Sequence, residues 1–153
     1  MKFNTKTIHG GQKPEATTGA IMPPVFMTST YAHSNPGEPQ EYEYSRGGNP
    51  TRTALENSFA AIENGTHGFA FSSGMAAIDC ALRILKPGDE VIAGDDLYGG
   101  TYRMFTRLFE KYGLEFTYVD MDDVANVTHV ITEKTKLVWI ETPTNPLMKI
   151  ADI

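Results

Sequence analysis

The sequence holds one cysteine in 153 residues, Cys80, which excludes an internal disulfide. Cys80 lies in an apolar stretch, so it is expected to be a buried core thiol rather than a reactive nucleophile. The four histidines, His9, His33, His67 and His129, show no metal-ligand spacing, and with a single thiol beside them no metal site is expected. Asp120, Asp122 and Asp123 lack the glycine and distal glutamate of an EF-hand loop. Basic residues are outnumbered, 13 Lys and Arg against 19 Asp and Glu, for a net charge of -6. No basic cluster stands out, which argues against a nucleic-acid partner. No apolar run is long enough to span a bilayer, and the opening MKFNTKTIHGG lacks the apolar core of a secretory signal. The expectation is a soluble, cytoplasmic chain with no membrane partner. P-loop, GxGxxG and GxSxG motifs are all missing.

What is present divides into two parts. Residues 1–48 are rich in proline, with Pro14, Pro23, Pro24, Pro36 and Pro39, so long helices are not expected there. Only MPPVFMTSTYAH offers a short extended apolar piece. Phe26, Tyr31, Tyr42 and Tyr44 are more aromatic than a solvated tail requires. The segment reads as an arm that packs on something else, such as another subunit, with a loose tail as the alternative.

Residues 49–153 alternate helix and strand patterns. Asn49-Pro50 is an N-cap with proline at the first helical position, Leu55, Phe59 and Ile62 follow at helical spacing, and Asn64-Gly65 closes the helix. Strands are expected at 68–71, 90–93, 116–119 and 137–140. Helices are expected at 75–85, at 101–112, and from Asp122 or Asp123 to about Thr132. This alternation predicts an α/β domain with a mainly parallel sheet. Such sheets bind ligands beyond the carboxyl ends of their strands, which directs attention to Ser72–Gly74, Asp95–Gly100, Asp120–Asp123 and Glu141–Asn145.

Each of these stretches has a chemical reading and a plain one. In FSSGMAA a strand runs into Ser72-Ser73-Gly74 and a helix opens, leaving free N–H groups at Met75 and Ala76 that favour an anion. The same pattern serves as an ordinary capped turn. Tyr98, ahead of two glycines, is placed to stack on a flat ring or to pack on its own domain. Arg103 suits a carboxylate, or is a solvated helix charge. In YSRGGNP, Tyr44 and Arg46 fall on one side of an extended segment by period two and together suit a phosphate; the alternative is a surface arginine in a turn.

YSRGGNPTR, FSSGMAA, DDLYGGT and ETPTNP, in this order and spacing, resemble the cystathionine γ-lyase and γ-synthase family, the pyridoxal-phosphate (PLP) enzymes of cysteine and methionine metabolism. The opening TKTIHGGQKPEATTGAIMPPVFMTSTY fits the same pattern, so the resemblance covers essentially the whole chain. It implies the type I PLP-dependent transferase fold, here truncated, with an extended N-terminal arm (1–48) contacting the neighbouring subunit and the first part of the large PLP-binding domain (49–153). It implies a homotetramer, a dimer of active dimers. Ser73, Gly74 and Met75 are implied at the cofactor phosphate, joined by Tyr44 and Arg46 from the neighbouring subunit. Tyr98 is implied as the stacking ring and catalytic base, with Tyr44 and Arg103 at the substrate. Asn145 is implied near the cofactor's 3′-oxygen, supported by Glu141.

The implied reaction is α,γ-elimination of L-cystathionine to cysteine, 2-oxobutanoate and ammonia. The γ-synthase reaction on an acylhomoserine plus cysteine is the alternative. Gly99-Gly100 stands where methionine γ-lyases typically carry cysteine, which argues against that branch. The family's Schiff-base lysine lies further downstream in a Ser-x-Thr-Lys context, and Lys86, Lys134, Lys136 and Lys149 sit in no such motif. The expectation is therefore that these residues are inactive alone and associate with the C-terminal remainder of the same enzyme; a non-catalytic fragment that only binds partner chains is the reading from another class.

Overall fold

A computed structural model describes residues 1–153, which form two compact units, Met1–Ala70 and Phe71–Ile153.

The first unit is built on two helices, α1 (Phe3–His9) and α2 (Pro50–Ile62), which pack together. Helix α2 starts as its sequence dictates: the Asn49 side chain accepts from Thr51 N at 2.9 Å and Pro50 fills the first position. Helix α1 was not expected, because FNTKTIH has no apolar periodicity; it is held by α2. Lys6 Nζ donates to Asn64 Oδ1, and Gly10 N donates to Lys6 O at 2.7 Å. Gly11 then turns with φ +70° so close to α2 that a Cβ there would collide with Asn57 O. Between the helices the chain is irregular. One antiparallel bridge, Thr30 to Tyr44, is reinforced by Ser45 N donating to Ser29 O at 2.8 Å. Asn49 Nδ2 ties this segment to the helix start by donating to Phe26 O at 3.2 Å and Ser45 Oγ at 3.0 Å.

The second unit carries the sheet. Strands β1 (Glu90–Gly94), β2 (Glu115–Val119) and β3 (Thr135–Trp139) are parallel in the order β2-β1-β3, with Ile92 opposite Thr117 and Val138. β1, reading EVIAG, is buried along its whole length, as a central parallel strand must be. Helix α3 (Gly74–Leu82) leads into β1, and α4 (Gly99–Arg107) and α5 (Val124–Val130) fill the connections between strands. Leu82, Val91, Ala93, Leu97, Phe105, Phe109 and Leu114 form the core. Phe105 stacks on Phe116 at 4.5 Å between ring centroids and meets Trp139 edge-on at 5.9 Å.

Four expectations are corrected. Residues 68–71 are not a strand: they find no partner in the sheet, and Gly68 packs against the backbone of Glu56 while Ala70 N donates to the Glu56 carboxylate at 2.9 Å. Helix α3 ends at Leu82 rather than residue 85, and the single helix expected over 101–112 is two pieces. After Arg107 the chain tightens into a 3₁₀ turn, Phe109–Tyr112, closed by Gly113 at φ +86°, which lets both Phe109 and Leu114 enter the core. Cys80 is exposed: it stands midway between Ile78 and Leu82, the residues that α3 turns to the core, and so lies on the opposite helix face. No helix is long and apolar enough to cross a membrane.

Candidate functional site

Because the three strands are parallel, the loops after β1, β2 and β3 gather at one edge, and the sequence's polar stretches are those loops. After β1 comes Asp95-Asp96-Leu97-Tyr98, opening α4. After β3 comes Glu141, whose carboxylate crosses to that opening. Glu141 Oε2 accepts from Tyr98 N at 2.8 Å; Oε1 accepts from Thr101 Oγ1 at 2.7 Å and from Trp139 Nε1 at 3.1 Å. A carboxylate thus caps α4, whose N-terminus has no side-chain cap of its own. Both Glu141 oxygens are engaged within the chain, so Glu141 fixes the Tyr98 turn.

Tyr98 is 49% exposed. Its ring lies over Gly100, where a Cβ would collide with ring atom Cε1 and stand 2.8 Å from Met75 Sδ. Gly100 is therefore the floor that lets the start of α3 and the Tyr98 ring come together. Gly99 does similar service for Arg103: a Cβ there would stand 3.2 Å from the guanidinium Nη1. Arg103 itself is exposed.

The opening of α3 has the chemistry of an anion site. Ser73 is the N-cap, its Oγ accepting from Ala76 N at 3.1 Å. Gly74 and Met75, at the first two helical positions, have N–H groups with no acceptor inside the helix. The free donors expected at Met75 and Ala76 are instead Gly74 and Met75, because the Ser73 cap occupies Ala76 N. A Cβ at Gly74 would meet nothing within 4 Å, and Ser73 and Gly74 are exposed, so this helix start is open to solvent. Two unpaired N–H groups, a serine hydroxyl and a helix dipole fit a phosphate.

The loop after β3 presents Asn145, which is exposed. Its base is fastened by Asp96, Asp95, Asp120 and Lys149, none of which was among the expected site residues. Asp96 Oδ2 accepts from Thr144 Oγ1 at 2.5 Å and from Leu147 N at 2.9 Å. Lys149 Nζ bridges Asp95 (2.9 Å) and Asp120 (2.8 Å), joining the loops after β1 and β2. Hydrogen bonds to Asp120 and then Asp95 raise the Lys149 pKa, and Lys149 in turn lowers that of Asp120. Their only sequence signal was position, within or beside loops at strand ends.

Tyr44 and Arg46 belong to the first unit. The extended, period-two arrangement expected for them is replaced by a turn: Gly47 N and Gly48 N donate to Tyr44 O at 2.9 and 3.0 Å. The turn still brings the pair together, with the Arg46 guanidinium carbon 4.7 Å from the centroid of the Tyr44 ring.

The fold is an α/β domain whose strand-end loops set a helix start with the chemistry of an anion site beside an exposed aromatic ring. A protein-family model described as Cys/Met metabolism PLP-dependent enzyme matches residues 4–153, and the chain belongs to that family. Its cofactor is accordingly pyridoxal phosphate. The chain is 50% identical over 151 residues to a probable cystathionine gamma-synthase of Herpetosiphon aurantiacus, covering 99% of this chain and 47% of that protein. It is also 50% identical over 152 residues to a cystathionine beta-lyase of Coxiella burnetii, covering 99% and 39%. Among solved structures, a cystathionine gamma-lyase from Lactobacillus plantarum complexed with L-serine superposes with a TM-score of 0.88 at 48% identity, covering 99% of this chain and 39% of that one. The chain spans less than half the length of the curated relatives it matches.

Proposed function

We propose that this chain is the cofactor-binding part of an enzyme that cleaves L-cystathionine by α,γ-elimination to cysteine, 2-oxobutanoate and ammonia. The observation that carries the cofactor part of this reading is the α3 opening, two N–H groups without an acceptor inside the helix at an exposed helix start beside the Tyr98 ring. The choice of γ-lyase rests on residues 11–38, GQKPEATTGAIMPPVFMTSTYAHSNPGE, which are more like those of γ-lyases than those of the synthases. Relatives carrying gamma-synthase, beta-lyase and gamma-lyase names at similar identity make the reaction itself the point to test.

Bound pyridoxal phosphate supplies an electron sink for a carbanion at the substrate's α-carbon. Gly74 N, Met75 N and the Ser73 hydroxyl hold its phosphate. Tyr44 and Arg46 complete that phosphate site in the neighbouring subunit of a dimer, two dimers making a tetramer. Residues 1–48 are the arm that reaches across; the exposure of Ile21, Met22, Val25 and Met27 supports a covering partner for it. The face of Tyr98 would stack on the cofactor ring, and its phenolate form would take a proton from the incoming substrate ammonium to become the phenol. Glu141 keeps that ring at a fixed height through Tyr98 N. The Asn145 amide donates to the ring's 3′-oxygen, and Arg103 with Tyr44 meets the substrate carboxylate.

The lysine that carries the cofactor is assigned to the part of the whole protein beyond these residues. A nucleophilic lysine needs a lowered pKa, whereas Lys149 is held charged between two carboxylates. Lys134 pairs with Glu115 at 3.0 Å and Lys136 donates to Glu133 O at 2.7 Å. The working enzyme is cytoplasmic in this reading.

The test is product analysis with the full-length protein and PLP. From cystathionine, 2-oxobutanoate supports the proposal, and pyruvate assigns a β-lyase instead. Cystathionine made from an acylhomoserine plus cysteine, with no keto acid from cystathionine, assigns a γ-synthase. For Tyr98→Phe the expectation is turnover slowed about 100-fold with PLP still bound, because stacking survives and proton transfer does not; a full-rate variant removes the hydroxyl from the mechanism.

A further inference from the structure

We propose that Asp96 is a positioning residue that sets the placement of Asn145 at the cofactor ring; this rests on the assignment of Asn145 given above. Asp96 is the second residue after β1 and is 7% exposed. Burying a carboxylate is costly unless its lone pairs are used. Here one oxygen, Oδ2, accepts both from the Thr144 hydroxyl and from Leu147 N, on either side of Asn145-Pro146. The same loop is closed on itself: Thr144 N donates to Lys149 O at 3.0 Å, Lys149 N donates to Thr144 Oγ1 at 2.8 Å, and Met148 N donates to Thr144 O at 3.2 Å. The closed loop is braced internally, and Asp96 fastens its Asn145 end to the loop after β1, as the Lys149–Asp95 ion pair fastens its far end.

The fastening runs both ways. Two residues after Asp96, Tyr98 N is held by Glu141, which sits at the foot of the Asn145 loop. Each loop therefore places a carboxylate under the other's ligand-facing residue. Glu141 fixes the loop that stacks a ring, and Asp96 fixes the loop that presents an amide. The two ligand-facing side chains, Tyr98 and Asn145, are exposed, while Asp96 and Thr144 beneath them are buried. Through this pair of latches a displacement of Asn145 is resisted by the end of the central strand, the most fully buried element of the sheet.

A group that acts on the cofactor only through Asn145 should leave a spectroscopic trace that a general loss of stability does not. The full-length protein with PLP is titrated with pH while the visible absorbance of the bound cofactor is followed, and PLP affinity is measured by equilibrium dialysis. Asp96→Ala is expected to weaken PLP binding about tenfold, the loss of one to two hydrogen bonds to a charged acceptor. It should also shift the absorbance midpoint in the same direction as Asn145→Ala. Asp96→Asn should restore both, because a single amide oxygen accepts both bonds. Should Asp96→Ala fail to fold, Thr144→Val removes one of the two donors at nearly constant volume and must show the same direction of shift. An unchanged midpoint and affinity in the folded Asp96 or Thr144 variant, while Asn145→Ala shifts them, overturns the positioning role alone. An unchanged midpoint in Asn145→Ala removes Asn145 from the ring and overturns the assignment beneath it.

Discussion

The two compact units solve the problem of holding shape by different means. In Phe71–Ile153 a fully buried strand, EVIAG, sits under Phe105, Leu82 and Phe109, and the polar loops at the strand ends are latched over that base. In Met1–Ala70 the only buried apolar side chain is Ala60; Phe59 is 54% exposed, and order comes from hydrogen bonds of Asn49, Ser45 and Thr51 to the surrounding backbone. Non-directional burial holds the unit with the Tyr98 and Asn145 loops. Directional hydrogen bonds hold the unit that presents Tyr44 and Arg46. A surface stabilised that way, with apolar side chains left outside, is suited to being finished by another surface.

The comparison can be broken first at Phe105. Phe105→Ala removes a ring with no solvent exposure and two aromatic neighbours, and about 3–5 kcal/mol of stability should be lost in chemical denaturation of the whole protein. A loss below 1 kcal/mol would mean the sheet is not the stabilising element. Glu90, at the start of β1, tests the polar side of the same unit. Its carboxylate accepts from Thr135 Oγ1 at 2.6 Å, Thr117 Oγ1 at 2.7 Å and Thr132 Oγ1 at 2.9 Å. The bond from Thr135, then that from Thr117, lowers its pKa below the ordinary 4.5. A lowered folded-state pKa contributes stability that is present above about pH 4.5 and is lost as pH falls through the folded value. Glu90→Gln should therefore cost about 1–2 kcal/mol near neutrality, and the gap to the parent should narrow in melts below pH 4.5. A gap independent of pH would assign the cost to packing.

The first unit is tested by its function and by its exposure. Arg46→Ala should weaken PLP retention about tenfold in equilibrium dialysis of the full enzyme, with melting of the cofactor-free protein unchanged. Unaltered affinity would separate the Tyr44–Arg46 turn from the phosphate. Phe59→Ala should give the smallest effect, below about 1 kcal/mol, if Phe59 stays as exposed as it is here. A cost approaching that of Phe105→Ala would sharpen the comparison differently, by showing that a further surface covers Phe59 in the whole protein.

Much of this was readable in advance where the signal is local. Asn49-Pro50 announced α2, VIA between Glu90 and Gly94 announced the central strand, and Ser73-Gly74 announced a helix start, because caps, φ limits and apolar runs act over a few residues. The family pattern was legible for the same reason: ETPTNP and DDLYGGT are unbroken motifs. The misses need distant partners. The apolar run 68–71 has strand composition but no neighbouring strand. Helix α1 exists because α2 is beside it. Cys80 follows from which face of α3 meets the core, and the Tyr44–Arg46 pair from a turn that period-two counting does not see.

The sequence by itself determined the alternation of elements, the family and its cofactor, and which residues stand at the strand ends, since each rests on neighbours along the chain. Only the tertiary structure decided what those residues do for one another. It spends Glu141 on the Tyr98 turn, ties Lys149 to two aspartates, and sets Asp96 beneath Asn145. These contacts join residues 29 to 54 positions apart, and parallel strands bring such residues together only after the sheet has formed.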